Sequence, residues 1–329
     1  MEAHLRPSIE IGLTAAIVAV EARQPVILVA RSGEPGEPDS LPFGPFDPLA
    51  HRTLEVGLRE WVAEQTALKI GYVEQLYTFG DRGRHAKAGD TAPHLVSVGY
   101  LALTRLSEES AQALTKAGAH WRRWYEYFPW EDWREGRPDL LDEDVLPALR
   151  RWAQARPSEN DAARPLGRWE RLRLAFGDDG APWDEERVLD RYELLYQAGF
   201  VEEALRDGRQ RQTEAGPTRL FGLPMRFDHR RILATAISRL RAKLKYRPVI
   251  FELMPAEFTL TELQRTVEAI SGRHLHKQNF RRLVEATALV EPTGKHARQE
   301  RGRPAELFRF RREVLKERPA PGLRFGLRA

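Results

Sequence analysis

A segment close to the C-terminal end of the chain carries side chains that could contact the edges of DNA bases. Helical spacing in HKQNFRRLVEATALV puts the apolar positions on one face and the polar positions on the other. The polar face carries Gln278, Arg281, Arg282 and Glu285. Arginine and glutamine form paired hydrogen bonds with guanine and adenine in the major groove. The segment therefore predicts a helix whose outer face contacts DNA.

Two earlier helices are predicted to position this segment. Residues 258–263, FTLTEL, contain a capping box, in which Thr259 and Glu262 bond each other's backbone N–H groups at a helix start. Gly272 predicts the end of that helix. An apolar stripe at helical spacing predicts another helix over about residues 228–245. A short helix, a turn and a second helix with a basic outer face are the parts of a helix-turn-helix.

A basic hairpin follows the predicted DNA-contacting helix. Leu289–Thr293 and Glu306–Arg312 are predicted strands around the loop GKHARQERGRPA. A helix-turn-helix with such a hairpin is a winged helix, and basic side chains of a wing contact phosphates or the minor groove. The residues predicted to contact DNA are Lys277, Gln278, Asn279, Arg281, Arg282, Lys295, Arg301 and Arg303.

The charge of the chain is unevenly distributed. Residues 226–329 hold 24 Lys and Arg against 11 Asp and Glu, whereas residues 1–225 hold 28 against 37. A basic third on an acidic body favours a module that binds nucleic acid, because phosphate neutralisation supplies most non-specific affinity. The alternatives are a merely solvated basic surface and an RNA-binding accessory protein. The basic third has no aromatic-rich motif of the kind that binds RNA.

The composition excludes several classes of protein. The chain has no cysteine, which excludes disulfide frameworks, catalytic thiols and cysteine-ligated metal sites. Its longest apolar runs are shorter than the roughly 20 residues that a membrane span requires. The start, MEAHLRPSIEIG, lacks the basic and apolar regions of a secretory signal. A chain of 329 residues with this composition predicts about two domains in the cytoplasm.

The first hundred residues predict a mixed α/β domain. The predicted strands are Ile9–Val20, Pro25–Ala30, Gly71–Phe79 and His94–Leu106, of which the first two form a hairpin. A Pro/Gly-rich loop separates the hairpin from a helix that is predicted to begin at Asp47-Pro48. Apolar residues at helical spacing carry this helix to Gly71.

Residues 107–206 are predicted to be mainly helical and contain a cluster of aromatic side chains. Seven aromatic residues lie within Trp121–Trp133. One interpretation is a platform on which a base stacks, and the other is a helix that fills the core of the first domain. Val188–Phe200 predicts another amphipathic helix, and residues 207–218 predict a linker.

Residues 41–68, LPFGPFDPLAHRTLEVGLREWVAEQTAL, resemble a Nudix box. With Arg59 and Glu60 set on the Arg-Glu pair of that motif, Glu64 matches the second of its paired glutamates. An alanine replaces the first, and His51 stands where the upstream glutamate belongs. Nudix hydrolases cut a pyrophosphate with Mg²⁺ or Mn²⁺ held by several carboxylates of one helix. Glu60 and Glu64 lie one helical turn apart and could still share a metal.

A degenerate Nudix domain followed by a winged helix resembles the NrtR-type regulators of NAD metabolism, in the longer variant of the alphaproteobacterial NAD regulators. The resemblance rests on FDHRRIL, FTLTELQRTVEAISG, NFRRLVE and GRPAELFRF in the basic third, and on WYEYFPWEDW and RYELLYQAGFVEEA before it. It implies a dimeric repressor that senses ADP-ribose or a related nucleotide. The residues expected to bind this effector are Arg31, Phe43, Arg59, Glu60 and Glu64.

These observations predict an α+β fold. A Nudix-like effector-sensing domain is expected over residues 1–215, with an aromatic-rich helical insert at about 107–206. A winged-helix domain is expected over residues 216–318, and a disordered tail over 319–329. The expected protein represses NAD-related genes, binds double-stranded DNA as a homodimer, and needs no cofactor beyond a possible Mg²⁺ at Glu60 and Glu64. The alternative is an active Mg²⁺-dependent Nudix pyrophosphatase acting on ADP-ribose or a related nucleoside diphosphate.

Overall fold

A mixed β-sheet organises the N-terminal part of the protein. The computed structural model describes residues 9–31, 36–66, 68, 70–81, 94–157, 161, 163–209, 220–297, 304–317 and 322–323. The strands of this sheet are β1 (Ile9–Glu21), β2 (Gln24–Ala30), β3 (Phe43–Pro45), β4 (Tyr72–Phe79), β5 (His94–Leu103) and β6 (Ala119–Arg123). Their order is β4-β5-β1-β2-β6, and β3 also pairs with β1. Only β1 and β5 run parallel among these pairs. The four predicted strands are confirmed, whereas β3 and β6 were not predicted.

Alternation along the central strand gives the sheet two apolar faces. Ile17 packs with α1 (Leu54–Thr66) and α2 (Glu108–Lys116), whereas the next residue, Val18, packs with the aromatic and helical segments of the chain. Successive side chains of a strand point to opposite faces. Helical layers therefore cover the sheet on both sides, which is how a central sheet buries both of its apolar faces.

Helix α1 begins at Leu54, so the predicted start at Asp47-Pro48 was wrong. The backbone of Asp47 is used in a turn, where its carbonyl accepts the His51 N–H at 2.8 Å and its N–H donates to His51 Nδ1 at 3.2 Å. Thr53 caps the helix instead, because its Oγ1 accepts a backbone N–H of the first turn at 3.2 Å. The helix also ends earlier than predicted, at Thr66.

The aromatic run Trp121–Trp133 fills the core, but it is not the helix that the sequence predicted. It leaves the sheet through β6 and continues in two 3₁₀ turns, Trp124–Glu126 and Pro129–Glu131. Its buried aromatic side chains are Trp124, Tyr125, Tyr127, Phe128 and Trp130. These buried rings pack against protein, so they are not a surface on which a base could stack.

Helices cover the aromatic run on its outer side. They are a π-helical turn (Leu141–Val145), α3 (Leu146–Gln154), α4 (Arg168–Phe176), α5 (Val188–Ala198) and α6 (Glu202–Arg206). Helix α5 is buried along most of its length and confirms the amphipathic helix predicted there. No helix in the described part of the chain is long and apolar enough to cross a membrane.

Helix α7 (His229–Leu244) lies between the sheet and the C-terminal elements. It contacts β1, β4, β5 and α5, and it also contacts α8 (Leu260–Ser271). After α8 the elements are α9 (Lys277–Thr287), β7 (Val290–His296), β8 (Glu306–Phe310) and α10 (Val314–Glu317). The predicted order of three helices and a hairpin is confirmed. One continuous apolar core spans the sheet, the insert and these helices, and the domain boundary at residue 216 stays a prediction.

Two residues of the tail that was expected to be disordered pack on α7. Leu323 is buried, and its N–H donates to the Leu244 carbonyl at 2.8 Å. Gly322 lies so close to Tyr246 that an added Cβ would meet its backbone N at 2.2 Å. The expectation of disorder does not hold for these two residues, and the rest of 319–329 lies outside the described residues.

A buried carboxylate joins the layers. Glu131, at the end of the aromatic run, accepts hydrogen bonds from Arg191 of α5 at 2.5 and 2.9 Å and from Arg241 of α7 at 2.6 Å. All three side chains are at most 1% exposed. Arg241 also donates to the Ile270 carbonyl of α8 at 3.0 Å, and Arg191 donates to the Ala175 carbonyl of α4 at 2.7 Å. One carboxylate therefore holds two guanidinium groups that each reach a further helix.

Replacing Glu131 by glutamine should strongly destabilise the fold, because it leaves two buried guanidinium groups without a counter-charge. We expect Glu131→Gln to lower the free energy of unfolding by about 3–5 kcal/mol. Urea denaturation followed by circular dichroism measures this quantity. Glu143→Gln, at an exposed glutamate of the π-helical turn, is the matched control and should change it by less than about 0.5 kcal/mol. Equal losses in the two variants would contradict the role of Glu131.

Candidate nucleic-acid interface and nucleotide groove

The turn between α8 and α9 is held by local hydrogen bonds. Thr259 Oγ1 accepts the Glu262 N–H at 3.2 Å, and Glu262 Oε2 accepts the Thr259 N–H at 2.7 Å, so the predicted capping box is confirmed. Gly272 ends α8 at φ 72°, a conformation that costs glycine little. Glu268 Oε1 then accepts the Leu275 N–H at 2.9 Å. The side chains of α8 thereby fix the direction in which α9 leaves the turn.

Helix α9 turns its apolar face inward and its predicted DNA-contacting face to solvent. Phe280 and Val284 are buried. Exposed side chains of the helix are Lys277, Gln278, Asn279, Arg281 and Arg282. Among the described residues, none of these five side chains has a hydrogen-bonding or ionic partner. The structure thus brings the five predicted residues of α9 onto one exposed surface with unused donors and acceptors.

The wing is formed by β7 and β8 and differs from the prediction in one contact. Backbone hydrogen bonds of 2.9 and 2.8 Å with Phe258 anchor the hairpin beside α8. Lys295 lies on β7 as predicted, but its Nζ is 2.8 Å from Glu257 Oε1. This carboxylate competes with any phosphate for the lysine. The other two predicted wing residues, Arg301 and Arg303, lie outside the described residues.

The C-terminal end of α8 is attached to the aromatic run by contacts that the sequence analysis missed. The Ala269 carbonyl accepts from the Tyr125 hydroxyl at 2.8 Å, and the Gly272 carbonyl accepts from the Trp133 N–H at 2.7 Å. Arg241 binds the carbonyl between them, as described above. Burial raises the pKa of Tyr125, which keeps its hydroxyl protonated as a donor. These bonds satisfy carbonyls that a helix end leaves without partners.

The two acidic residues singled out in the N-terminal domain lie on the exposed side of α1. Glu60 and Glu64 are both exposed and one turn apart, and Glu60 Oε2 is 3.2 Å from His51 Nε2. Because His51 Nδ1 accepts the Asp47 N–H, its Nε2 carries the proton and donates to Glu60. The residue at the position of the upstream Nudix glutamate is therefore a hydrogen-bond donor and not a metal ligand.

These donors do not fit the metal centre of a Nudix hydrolase. Mg²⁺ prefers six oxygen ligands, several of them from carboxylates in such sites. Glu60 and Glu64 supply two carboxylates, and one of these already accepts from His51. No group of three or more histidine or acidic side chains in the described ranges is placed to hold a metal ion. We therefore assign no chemical step to Mg²⁺ in this domain.

Arg59 holds α1 in place, so its donors are engaged within the protein. Its guanidinium group donates to Glu55 Oε1 at 2.9 and 2.8 Å, which confirms the pairing that the spacing suggested. It also donates to the carbonyls of Ile70 at 2.7 Å and Gly71 at 3.2 Å. These contacts engage most of the donors of Arg59, and its expected place near the effector phosphates stays a prediction.

Of the remaining predicted effector residues, Phe43 begins β3 and Arg31 directly follows β2. The backbone of Phe43 is bound by Gln65 of α1 at 3.2 and 2.5 Å, while its ring packs edge-on against Phe227 and His229 at 5.1 Å. Arg31 follows β2 and is exposed. The structure therefore brings Phe43 against the segment before α7, separate from the two carboxylates on the outer face of α1.

A half-buried acidic residue of the Pro/Gly-rich loop fixes the loop to the sheet. Asp39 lies 2.9 Å from Arg122 Nε, 3.3 Å from the Tyr127 hydroxyl and 3.7 Å from His120 Nε2. Burial lowers the pKa of His120, which leaves the ring uncharged at neutral pH, and burial raises the pKa of Tyr127. The effector is expected to bind between this loop and α1, the helix that carries Glu60 and Glu64, in what we call the predicted nucleotide groove. Since the loop precedes β3, these contacts set one edge of that groove.

Comparison with known protein families identifies the C-terminal domain. Residues 250–310 match the family model of the NrtR DNA-binding winged helix domain. The chain is also similar to the ADPR responsive transcriptional repressor NtrR of Acinetobacter baylyi, with 42% identity over 88 residues. That match spans 27% of this chain and 35% of the length of the relative.

Two solved structures show the same overall arrangement. The crystal structure of Shewanella oneidensis NrtR complexed with a 27mer DNA aligns with a TM-score of 0.54 at 22% identity, over 95% of this chain and 98% of that one. A second crystal structure of Shewanella oneidensis NrtR aligns with a TM-score of 0.51 at 22% identity, over 92% of this chain and 94% of that one. At this identity the likeness establishes the fold. Residues 250–310 are therefore similar to the NrtR winged helix family, and the overall fold of the chain is one that NrtR shares.

Proposed function

We propose that this protein is a transcriptional repressor that binds double-stranded DNA and responds to ADP-ribose or a related nucleotide. The observation that carries the proposal is the exposed polar face of α9, whose basic and amide side chains have no partners among the described residues. Two similar proteins support the proposal: the Acinetobacter relative is named an ADPR responsive transcriptional repressor, and the Shewanella protein was crystallised with a 27mer DNA. NAD-related genes are the proposed targets, and a homodimer is the proposed form.

Helix α9 would lie in the major groove with Gln278, Arg281 and Arg282 toward the base edges. Lys277, at the start of the helix, would neutralise a phosphate. Two copies related by a twofold axis would place two such helices on an operator of roughly palindromic sequence. The winged helix would then supply sequence recognition, and the basic wing would supply affinity that does not depend on sequence.

The Nudix-like domain would bind the effector without hydrolysing it. The carboxylates described in this domain are too few for the metal centre of a Nudix hydrolase, and one of them, that of Glu60, accepts a hydrogen bond from His51. A nucleotide that binds one arrangement of the two winged helices more tightly than another shifts DNA affinity by that difference. Arg31, exposed at the end of β2, is the residue that we propose for the effector phosphates.

Fluorescence anisotropy of a labelled duplex from upstream of the protein's own gene neighbourhood tests this function. We expect tight, salt-sensitive binding that ADP-ribose changes, and weaker binding to a scrambled duplex. Arg31→Ala should raise the ADP-ribose concentration needed for the response about tenfold, because one charged hydrogen bond to the effector is lost. Arg52→Ala, at an exposed arginine of the same domain, is the control. Equal weak binding to both duplexes, unmoved by ADP-ribose, would contradict the proposal.

The same protein also distinguishes the proposed sensor from a pyrophosphatase. With Mg²⁺ and ADP-ribose, we expect no AMP release above background, and no difference between the natural protein and Glu64→Gln. Mg²⁺-dependent release that Glu64→Gln abolishes would establish the enzyme instead.

Arg281→Ala should weaken operator binding by about 1–3 kcal/mol and relax discrimination at one base pair, because a bidentate contact with a base is lost. Titration against single-base variants of the operator measures both effects. Arg239→Ala removes an exposed arginine of α7, outside the winged-helix match, and should leave binding unchanged. Unchanged operator affinity in Arg281→Ala would assign α9 a structural role.

Glu257→Gln should strengthen binding to any duplex, because it releases Lys295 for a phosphate. We expect a gain of a few-fold and a salt slope steeper by up to about one unit, the contribution of one phosphate contact. Lys295→Ala should cancel the gain in the double variant. A gain that survives in the double variant would mean that Glu257 repels DNA without acting through Lys295.

A further inference from the structure

A cleft of about 900 Å³ opens between α4, α5 and the residues that follow α6. Side chains that matter for its chemistry are Arg164, Arg171, Leu174, Leu194, Tyr196 and Arg209. A cavity of this size is within the range of small-molecule sites. None of the five predicted effector residues lines it. The cleft is therefore separate from the predicted nucleotide groove.

Two of the arginines that border the cleft are neutralised within the protein. Arg231 makes ion pairs with Asp81 and, at 2.7 Å, with Glu193. Arg187 lies 3.4 Å from Asp190. These pairs neutralise the acidic residues at that end of the cleft. The charge of the rest of the cleft therefore depends on its other arginines.

Arg171 belongs to a group with more positive than negative charge. Asp161 is buried and is shared by two guanidinium groups, those of Arg168 at 2.8 and 2.5 Å and of Arg171 at 3.0 Å. Arg171 Nε is buried and has no hydrogen-bond partner among the described residues. Burial, together with the nearby charge of Arg164, lowers the pKa of Arg171. One carboxylate therefore faces three positive side chains.

Arg164 and Arg209 complete the positive lining at the mouth of the cleft. Both are exposed, and neither has an acidic partner in the part of the chain that the structure describes. The Arg209 guanidinium lies 4.8 Å from the centre of the Tyr196 ring, and the Tyr196 hydroxyl donates to Asp207 at 2.7 Å. Two arginine forks beside an aromatic ring suit a ligand with both phosphate and planar groups.

Apolar side chains form part of the wall of the cleft between the arginines. Leu174 and Leu194 face it from α4 and α5, beside the ring of Tyr196. An inorganic anion would leave this apolar wall in water, whereas a nucleotide would cover it with its base. We propose that the cleft binds a nucleoside phosphate, with Arg164, Arg171 and Arg209 on the phosphates and the leucine wall against the base. The site is a second one, and it does not depend on the effector proposed above.

Isothermal titration calorimetry of the full chain with ADP, and with adenosine as the uncharged comparison, tests this site. We expect ADP to bind and adenosine to bind at least tenfold more weakly. The double variant Arg164→Glu/Arg209→Glu should weaken ADP binding at least tenfold, since it reverses two exposed charges that have no acidic partner in the described part of the chain. Arg156→Glu, at an exposed arginine of the insert outside the cleft, should leave ADP binding unchanged.

The inference is overturned if ADP fails to bind, if adenosine binds as tightly as ADP, or if Arg156→Glu weakens ADP binding as much as the cleft variant does. Weakening by Arg31→Ala with no effect of the cleft variant would also overturn it, while leaving the proposed effector groove intact. Conversely, loss of ADP in the cleft variant with an unchanged ADP-ribose response on DNA would support the second site alone.

Discussion

The arrangement of this protein depends on the single buried carboxylate of Glu131. Its charge is shared by Arg191 and Arg241, and these two side chains reach four segments that are far apart in the sequence. A buried guanidinium group without a counter-charge is too costly to tolerate, so the aromatic run, α5 and α7 must be in place together. The insert is therefore part of the core and not an appendage to the sheet.

The same network limits how a signal could reach the DNA-binding helix. The end of α8 is bound through the carbonyls of Ala269, Ile270 and Gly272 to Tyr125, Arg241 and Trp133. A hinge between α7 and α8 would break these bonds. A change in the Nudix-like domain would therefore displace the winged helix together with α7. In the proposed homodimer, this would change the placement of one α9 relative to that of the second copy.

Local features of the fold were predictable from the sequence, and contacts over long sequence separations were not. The capping box at Thr259, the end of α8 at Gly272 and the two faces of α9 depend on neighbouring residues, and all three were predicted correctly. The aromatic run was misassigned as a helix because its apolar content suits a core in any conformation. The pairing of Lys295 with Glu257 joins two residues that no spacing rule relates. The predicted start of α1 at Asp47-Pro48 was wrong because Thr53 caps the helix and the backbone of Asp47 is used in a turn.

Helix α1 illustrates how a catalytic motif can persist as structure. Arg59 holds the helix to the following segment through hydrogen bonds to Glu55 and to the carbonyls of Ile70 and Gly71. The acidic positions are the ones that differ from the Nudix motif, since His51 donates to Glu60 at the position where the motif has another carboxylate. Fewer carboxylates hold a metal less well, but they also repel a pyrophosphate less. A site with fewer carboxylates thus favours retention of an intact nucleotide, which the proposed sensor would require.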